Sequence, residues 1–169
     1  MAKNTKKQTN QVWYALAIAR LLLGFTFLWA FIDKTFGLGY ATTSEAAWVN
    51  GGSPTTGFLK FGINPEGPFV DYFSGLAGMM WVDWLFMLGL LGIGVALVLG
   101  VGLKIAAVSG AVLLVMMWLA LLPLENNPIV DDHIIYAVIL FAIAMAEPRW
   151  SLADWWRSQS FVKKNSWLW

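Results

Sequence analysis

Cysteine is absent from this chain. Its absence excludes a CxxC redox pair, a disulfide relay and thiolate-held iron–sulfur clusters. Histidine is nearly absent, His133 being the only one. One chain therefore cannot hold a haem between two histidines, and no zinc-ligand cluster is visible. No metal site is expected. Charge is scarce too: Asp, Glu, Lys and Arg make up 12% of the residues, against about 25% in an ordinary soluble domain. With a formal net charge of +1, no nucleic-acid partner is implied. Any electrons handled here must travel on a diffusible cofactor or through a partner.

What is abundant is apolar surface, at 59% of 169 residues. The apolar runs predict an all-α membrane protein, a four-transmembrane-helix bundle in a single membrane domain spanning 1–169. The expected spans are about 12–33, 82–102, 105–122 and 130–147, each near the roughly 20 residues that cross a hydrocarbon core. The polar start, with Lys3, Lys6 and Lys7, resembles the opening of a signal peptide. The run that follows is too long, contains Arg20 and lacks a small-residue cleavage site, so it reads as an uncleaved first span. The second span is rich in glycine, at Gly89, Gly92, Gly94, Gly100 and Gly102, which lets helices approach closely.

A long loop, 35–80, separates the first two spans. Gly51-Gly52-Ser53-Pro54 and Asn64-Pro65-Glu66-Gly67-Pro68 are strong turn signals within it. Trp48, Phe58, Leu59 and Phe61 are too apolar for a solvated loop, so short helices are expected at Thr43–Val49 and Phe69–Phe73. The tail, 148–169, opens with Ser151-x-x-Asp154, a capping-box pattern. With Trp155, Trp156 and the basic residues that follow, it predicts a C-terminal interfacial amphipathic helix. Cations fix the expected orientation. Lys3, Lys6, Lys7, Lys104, Arg149, Arg157, Lys163 and Lys164 fall on one side, and only Lys34 and Lys60 on the other. By the positive-inside rule both termini are cytoplasmic and the long loop is the outer loop.

Four residues in the first span carry a resemblance. Arg20, Gly24, Phe27 and Lys34 reproduce the spacing typical of the DoxX family of small four-helix membrane proteins. Gly94, Gly100 and the basic Lys104 fit the end of that family's second helix. The long loop with Trp48, Gly51-Gly52 and Pro54 is closer to the DoxD-type branch, which includes the membrane subunit of thiosulfate:quinone oxidoreductase. The chain departs from the family at Phe31, where many members have Gly, and at Leu90, near which many carry Glu. The resemblance implies a quinone, ubiquinone or menaquinone, as acceptor. It also implies thiosulfate or a similar small sulfur species as donor, and a bacterial or archaeal plasma membrane.

The residues themselves offer several candidate sites. Arg20 lies inside the first span, where a charge persists only with a partner, a wet cavity or a route to the interface. It is read either as a ligand for an anion or quinone carbonyl, or as one half of a structural ion pair with Glu147. Asp33 and Lys34 close the same span, and Lys34 either attracts an anionic substrate or anchors the helix at the interface. Asp131, Asp132 and His133 form a titratable group, because histidine is the side chain that changes charge near neutral pH. They are read as a proton relay or as a helix N-terminus stabilised by acidic residues. Trp29, Trp81 and Trp118 either belong to an interfacial aromatic belt or line a flat slot for a quinone ring. Two functions compete: a quinone-linked oxidoreductase subunit, or a non-catalytic scaffold docking an extracytoplasmic redox subunit. A solute transporter is disfavoured by the lack of paired discontinuous repeats. Membrane lipid is an expected partner and a homo-oligomer is compatible with the sequence.

Overall fold

The structure is a computed structural model that describes residues 2–169, with side chains from Asn10 onward. The side chains of Lys3, Lys6 and Lys7 lie outside the described residues. All the regular structure of the described chain is helical, without strands. Helix α1 runs Ala2–Phe36, α2 Val70–Gly75, α3 Met80–Leu99, α4 Leu103–Leu121, α5 Asp132–Met145, α6 Ala153–Ser158 and α7 Ser160–Lys164. Helices α1, α3, α4 and α5 form a closed ring of neighbours: α1 against α3, α3 against α4, α4 against α5, and α5 back against α1.

Three helical stretches, Asn10–Phe36, Met80–Leu99 and Leu103–Leu121, are long and apolar enough to cross a membrane. They point to an integral membrane protein. Helix α5 is apolar but has 14 residues, about 21 Å at 1.5 Å per residue, short of a core of about 30 Å. Helix α1 outruns its expected span at both ends, because no proline interrupts Ala2 to Phe36 and its first turns include the helix formers Ala2, Lys3, Lys6, Lys7 and Gln8. It stops where Gly37 turns left-handed at φ 64° and returns its N–H to the Asp33 carbonyl at 2.7 Å.

The interior is built from one stripe on each helix. Leu23, Phe27, Met87, Leu90, Ile93, Leu97, Leu114, Leu140 and Ile143 are buried together. Leu22, Phe25, Leu85, Val112 and Val138 point away from this core and are exposed, as lipid-facing side chains are. Association in lipid rests on close packing more than on apolar burial, and α1 and α3 show it. A Cβ on Gly24 would sit 2.9 Å from Val98 Cγ2, and one on Gly94 would sit 2.7 Å from Leu28 Cγ. The two glycines let the helices touch nearly backbone to backbone.

The long loop is folded. A 3₁₀ turn at Trp48–Asn50, a π turn at Phe58–Gly62 and helix α2 punctuate it. Its second half forms a small core of Leu59, Ile63 and Phe73 against Ala120 of α4. Asn64 ties that half down, its N–H donating to the Ala120 carbonyl at 3.1 Å and its side-chain amide to the Pro123 carbonyl at 2.7 Å. At the other end of the bundle the tail folds across the helix ends. The expected tail helix is instead two short ones, broken at the extended Gln159. The Trp156 indole donates to the Leu168 carbonyl at 2.9 Å and bends the chain back. Ser151 Oγ accepts from the Ala153 N–H at 3.4 Å, while Leu152 takes the capping position without a side-chain bond.

Candidate functional site

Arg20 is 1% exposed. Residues 20, 24, 27, 31 and 34 recur on one face of α1, so the arginine points inward with Gly24 and Phe27. Its guanidinium serves backbone carbonyls on two other segments. One terminal nitrogen donates to the Leu97 carbonyl and to the Val98 carbonyl at 3.0 Å. The other donates to the carbonyls of Arg149 at 3.0 Å and Trp150 at 2.8 Å. Arg20 thus joins α1, the last turn of α3 and the segment after α5. Gly100 makes room for it: its φ is 70°, and a Cβ there would lie 3.0 Å from the guanidinium and collide with Ser151. Trp150 has φ 50°, uncommon for a non-glycine residue, and turns its carbonyl toward the arginine.

The ion pair expected between Arg20 and Glu147 is therefore corrected. Carbonyl oxygens take the guanidinium's terminal N–H groups, and Glu147 lines a cavity with Lys104 and Arg157 instead. A planar fork suits pairs of carbonyls on separate segments. The physical reason is that helix ends offer unpaired carbonyls wherever they meet. With its terminal nitrogens so occupied, Arg20 acts as a staple, which leaves little for a substrate.

The opposite end of the bundle carries the remaining candidates. Asp33 is 1% exposed, and its carboxylate receives the Tyr40 N–H at 3.4 Å and the Ala41 N–H at 3.0 Å. It shapes the exit from α1 rather than facing a substrate. Lys34 is half-buried beside it. On α5, Asp131 caps the helix by accepting the Ile134 N–H at 3.3 Å, and its other oxygen lies 2.7 Å from His133 Nδ1. Asp132 stands 3.5 Å from the same nitrogen but is largely exposed. The two sequence readings of this trio coexist, with Asp131 both helix cap and histidine partner. Donor atoms of all three lie within 4.8 Å of one another; the cap and the dyad account for that closeness without a metal.

Helix lengths bring Lys34 and this trio to the same end of the bundle. Arg20 to Lys34 spans fourteen residues, about 21 Å of helix. Arg20 contacts the chain just beyond the far end of α5, and α5 returns over a similar length alongside α1.

The three tryptophans proposed for a slot have separate neighbours. Trp29 stacks on Phe25 with centroids 5.9 Å apart and meets Tyr40 edge-on at 5.1 Å. Trp118 donates its indole N–H to the Ile129 carbonyl at 2.7 Å, and Trp81 is exposed on α3. The close indole pair is Trp48 with Trp84, edge to face at 4.7 Å. What remains for a flat ring is the wall of exposed Phe25 and Tyr40 with half-buried Trp29 between them.

Sequence reasoning overlooked Asp83. It is buried in the first turn of α3, where one carboxylate oxygen accepts from Ser53 Oγ at 2.9 Å. The same oxygen accepts from the Thr55 N–H at 3.2 Å and from Thr55 Oγ1 at 2.6 Å. Asp83 thereby fixes the middle of the long loop onto the bundle. A lone carboxylate opening an apolar helix is the one signal that could have singled it out. Farther along the loop surface, Glu45 has its pKa lowered by hydrogen bonds from its own backbone N–H and from Thr43. Comparisons with protein families, curated proteins and solved structures return no match to this chain.

Proposed function

We propose that the chain is a DoxX-like integral membrane subunit of a quinone-linked oxidoreductase, working at the end of the bundle that holds Lys34 and His133. In this reading all four ring helices cross a bacterial or archaeal plasma membrane. Both termini are cytoplasmic and the Lys34–His133 end is outside. The short α5 crosses as one member of the ring, and the extended residues flanking it lengthen its reach. The observation that carries the functional reading is the His133–Asp131 contact of 2.7 Å, at the end of the bundle to which the helix lengths also bring Lys34. Asp131 fixes the imidazole through Nδ1 and leaves Nε2 for proton exchange. Asp132 stands exposed on the Nδ1 side of the ring, 3.5 Å away, and keeps that side polar and wet.

Lys34 supplies the attraction for an anionic donor such as thiosulfate, strengthened where protein and lipid exclude water. Two thiosulfates give up one electron each and join through a new S–S bond, and a quinone, ubiquinone or menaquinone, takes those two electrons with two protons from the aqueous side to become the quinol. Its ring fits the wall of Phe25, Trp29 and Tyr40, which lipid reaches directly. The spacing of Arg20, Gly24, Phe27 and Lys34 supports the family reading, since those residues form the inward stripe of α1.

A second reading has its own observation. The folded loop exposes Tyr40, Val49, Phe61 and Tyr72, a surface on which an extracytoplasmic redox subunit can dock while this chain serves as scaffold. Lipid extraction of the purified protein followed by mass analysis separates the two. Quinone retained at about one per chain is expected. A preparation free of quinone that copurifies with a soluble redox protein would favour the scaffold.

A further inference from the structure

At the end opposite Lys34, a cavity of about 730 Å³ opens between α1, α4, α5 and the tail. Its polar side holds Lys104, Arg157 and Glu147, and its apolar side holds Val108, Phe141 and Met145. We infer that this cavity binds a phospholipid with an anionic headgroup, the phosphate lying between Lys104 and Arg157 and an acyl chain along Val108 and Phe141.

Two cations converge on a single indole here. Lys104 Nζ lies 5.6 Å from the Trp169 ring centroid and Arg157 Cζ 5.1 Å from it. Two like charges that line one cavity favour an anion within reach of both. Among the described residues, no carboxylate stands within ion-pair distance of either, the ion pairs being those of His133. Glu147 lines the cavity without closing on them. Helix α4 opens at Gly102 without a side-chain cap, so its first-turn N–H groups add positive potential beside Lys104.

The apolar side selects an amphiphile over a bare anion. Val108, Phe141 and Met145 are exposed and continue the lipid-facing surface of α4 and α5. A phosphate held at the cations therefore has its acyl chains in the hydrocarbon. The shared chemistry, a phosphate anion, could come from lipid or from solution, and the continuity of the apolar wall favours lipid.

The test uses the full chain, purified and exchanged into micelles containing equal phosphatidylglycerol and phosphatidylcholine, with retained lipid read by native mass spectrometry. Phosphatidylglycerol should be retained about tenfold over phosphatidylcholine, as expected for two cations near a headgroup. The preference should vanish in the double variant Lys104→Gln, Arg157→Gln. Because both side chains also hold Trp169, a second variant leaves them in place. Val108→Trp fills the apolar side and should expel the lipid while the thermal transition stays within a few degrees of wild type. Equal retention of the two lipids, or a preference that survives either variant, overturns the inference. Displacement of phosphatidylglycerol by millimolar inorganic phosphate would also overturn it, identifying a soluble anion as the ligand.

Discussion

Replacing Arg20 with methionine keeps most of the side-chain volume and removes all four hydrogen bonds to the carbonyls of Leu97, Val98, Arg149 and Trp150. Hydrogen bonds from a charged donor are worth about 1.5–3 kcal/mol each, so a simple sum overshoots. Leu97 keeps a bond from the Gly100 N–H at 3.3 Å, and the two tail carbonyls can turn toward water once released. Methionine also removes the desolvation cost of a buried guanidinium. Weighing these, the net loss should be about 3–5 kcal/mol, from buried carbonyls left short of donors at about 1–3 kcal/mol each. Arg20→Lys should lose about half as much, because one ammonium cannot reach two pairs of carbonyls on separate segments. Glu147→Gln should change stability by about 0.5 kcal/mol or less. The assay is reversible unfolding in mixed micelles, followed by tryptophan fluorescence, with proteolysis of the tail as a second readout. An Arg20→Met protein as stable as wild type would refute the staple. So would a Glu147→Gln protein destabilised as much as Arg20→Met, which would restore the ion pair.

Three further outcomes follow from the geometry. Asp83→Ala leaves Ser53 and Thr55 donors without their acceptor and should cost about 3 kcal/mol of loop docking; accelerated proteolytic cleavage between Gly51 and Gly57 is the readout. Gly94→Ala should destabilise by about 1–3 kcal/mol through overpacking against Leu28. Gly92→Ala, with nothing within 4 Å of the added carbon, should be neutral or stabilising; equal effects of the two would contradict the close α1–α3 seam. A cysteine introduced at Ser53 should react with an impermeant thiol reagent from outside the cell, and labelling only from the cytoplasm would reverse the proposed orientation.

The seam of α1 was legible because periodicity and residue type coincide there. Arg20, Gly24 and Phe27 are spaced for one face, and each is of a kind that a crowded interior needs. The burial of Arg20 followed from its depth in an apolar run. Its partners did not, because backbone carbonyls leave no trace in residue types, and the ones it uses lie 77 to 130 positions away. Asp83 escaped notice for the same reason: its donors lie 28 and 30 positions earlier, in a loop whose path cannot be read from composition. His133 and Asp131 were legible as a pair because they are two residues apart at a helix start, where capping brings them together. The tail was misread as one helix because no glycine or proline marks Gln159. A distant contact, Trp156 to Leu168, sets that break.

The central claim is tested most directly by turnover. Purified wild-type protein, in nanodiscs and with any copurified partner retained, is given thiosulfate and a soluble ubiquinone analogue, and quinone reduction is followed by absorbance. The account predicts reduction by wild type, a fall of about 10²-fold or more in His133→Phe, the scale of a lost acid–base group, and a fall in Lys34→Met expressed mainly as weaker use of the anionic donor, each checked for normal insertion. Wild-type turnover that both variants retain in full would contradict it.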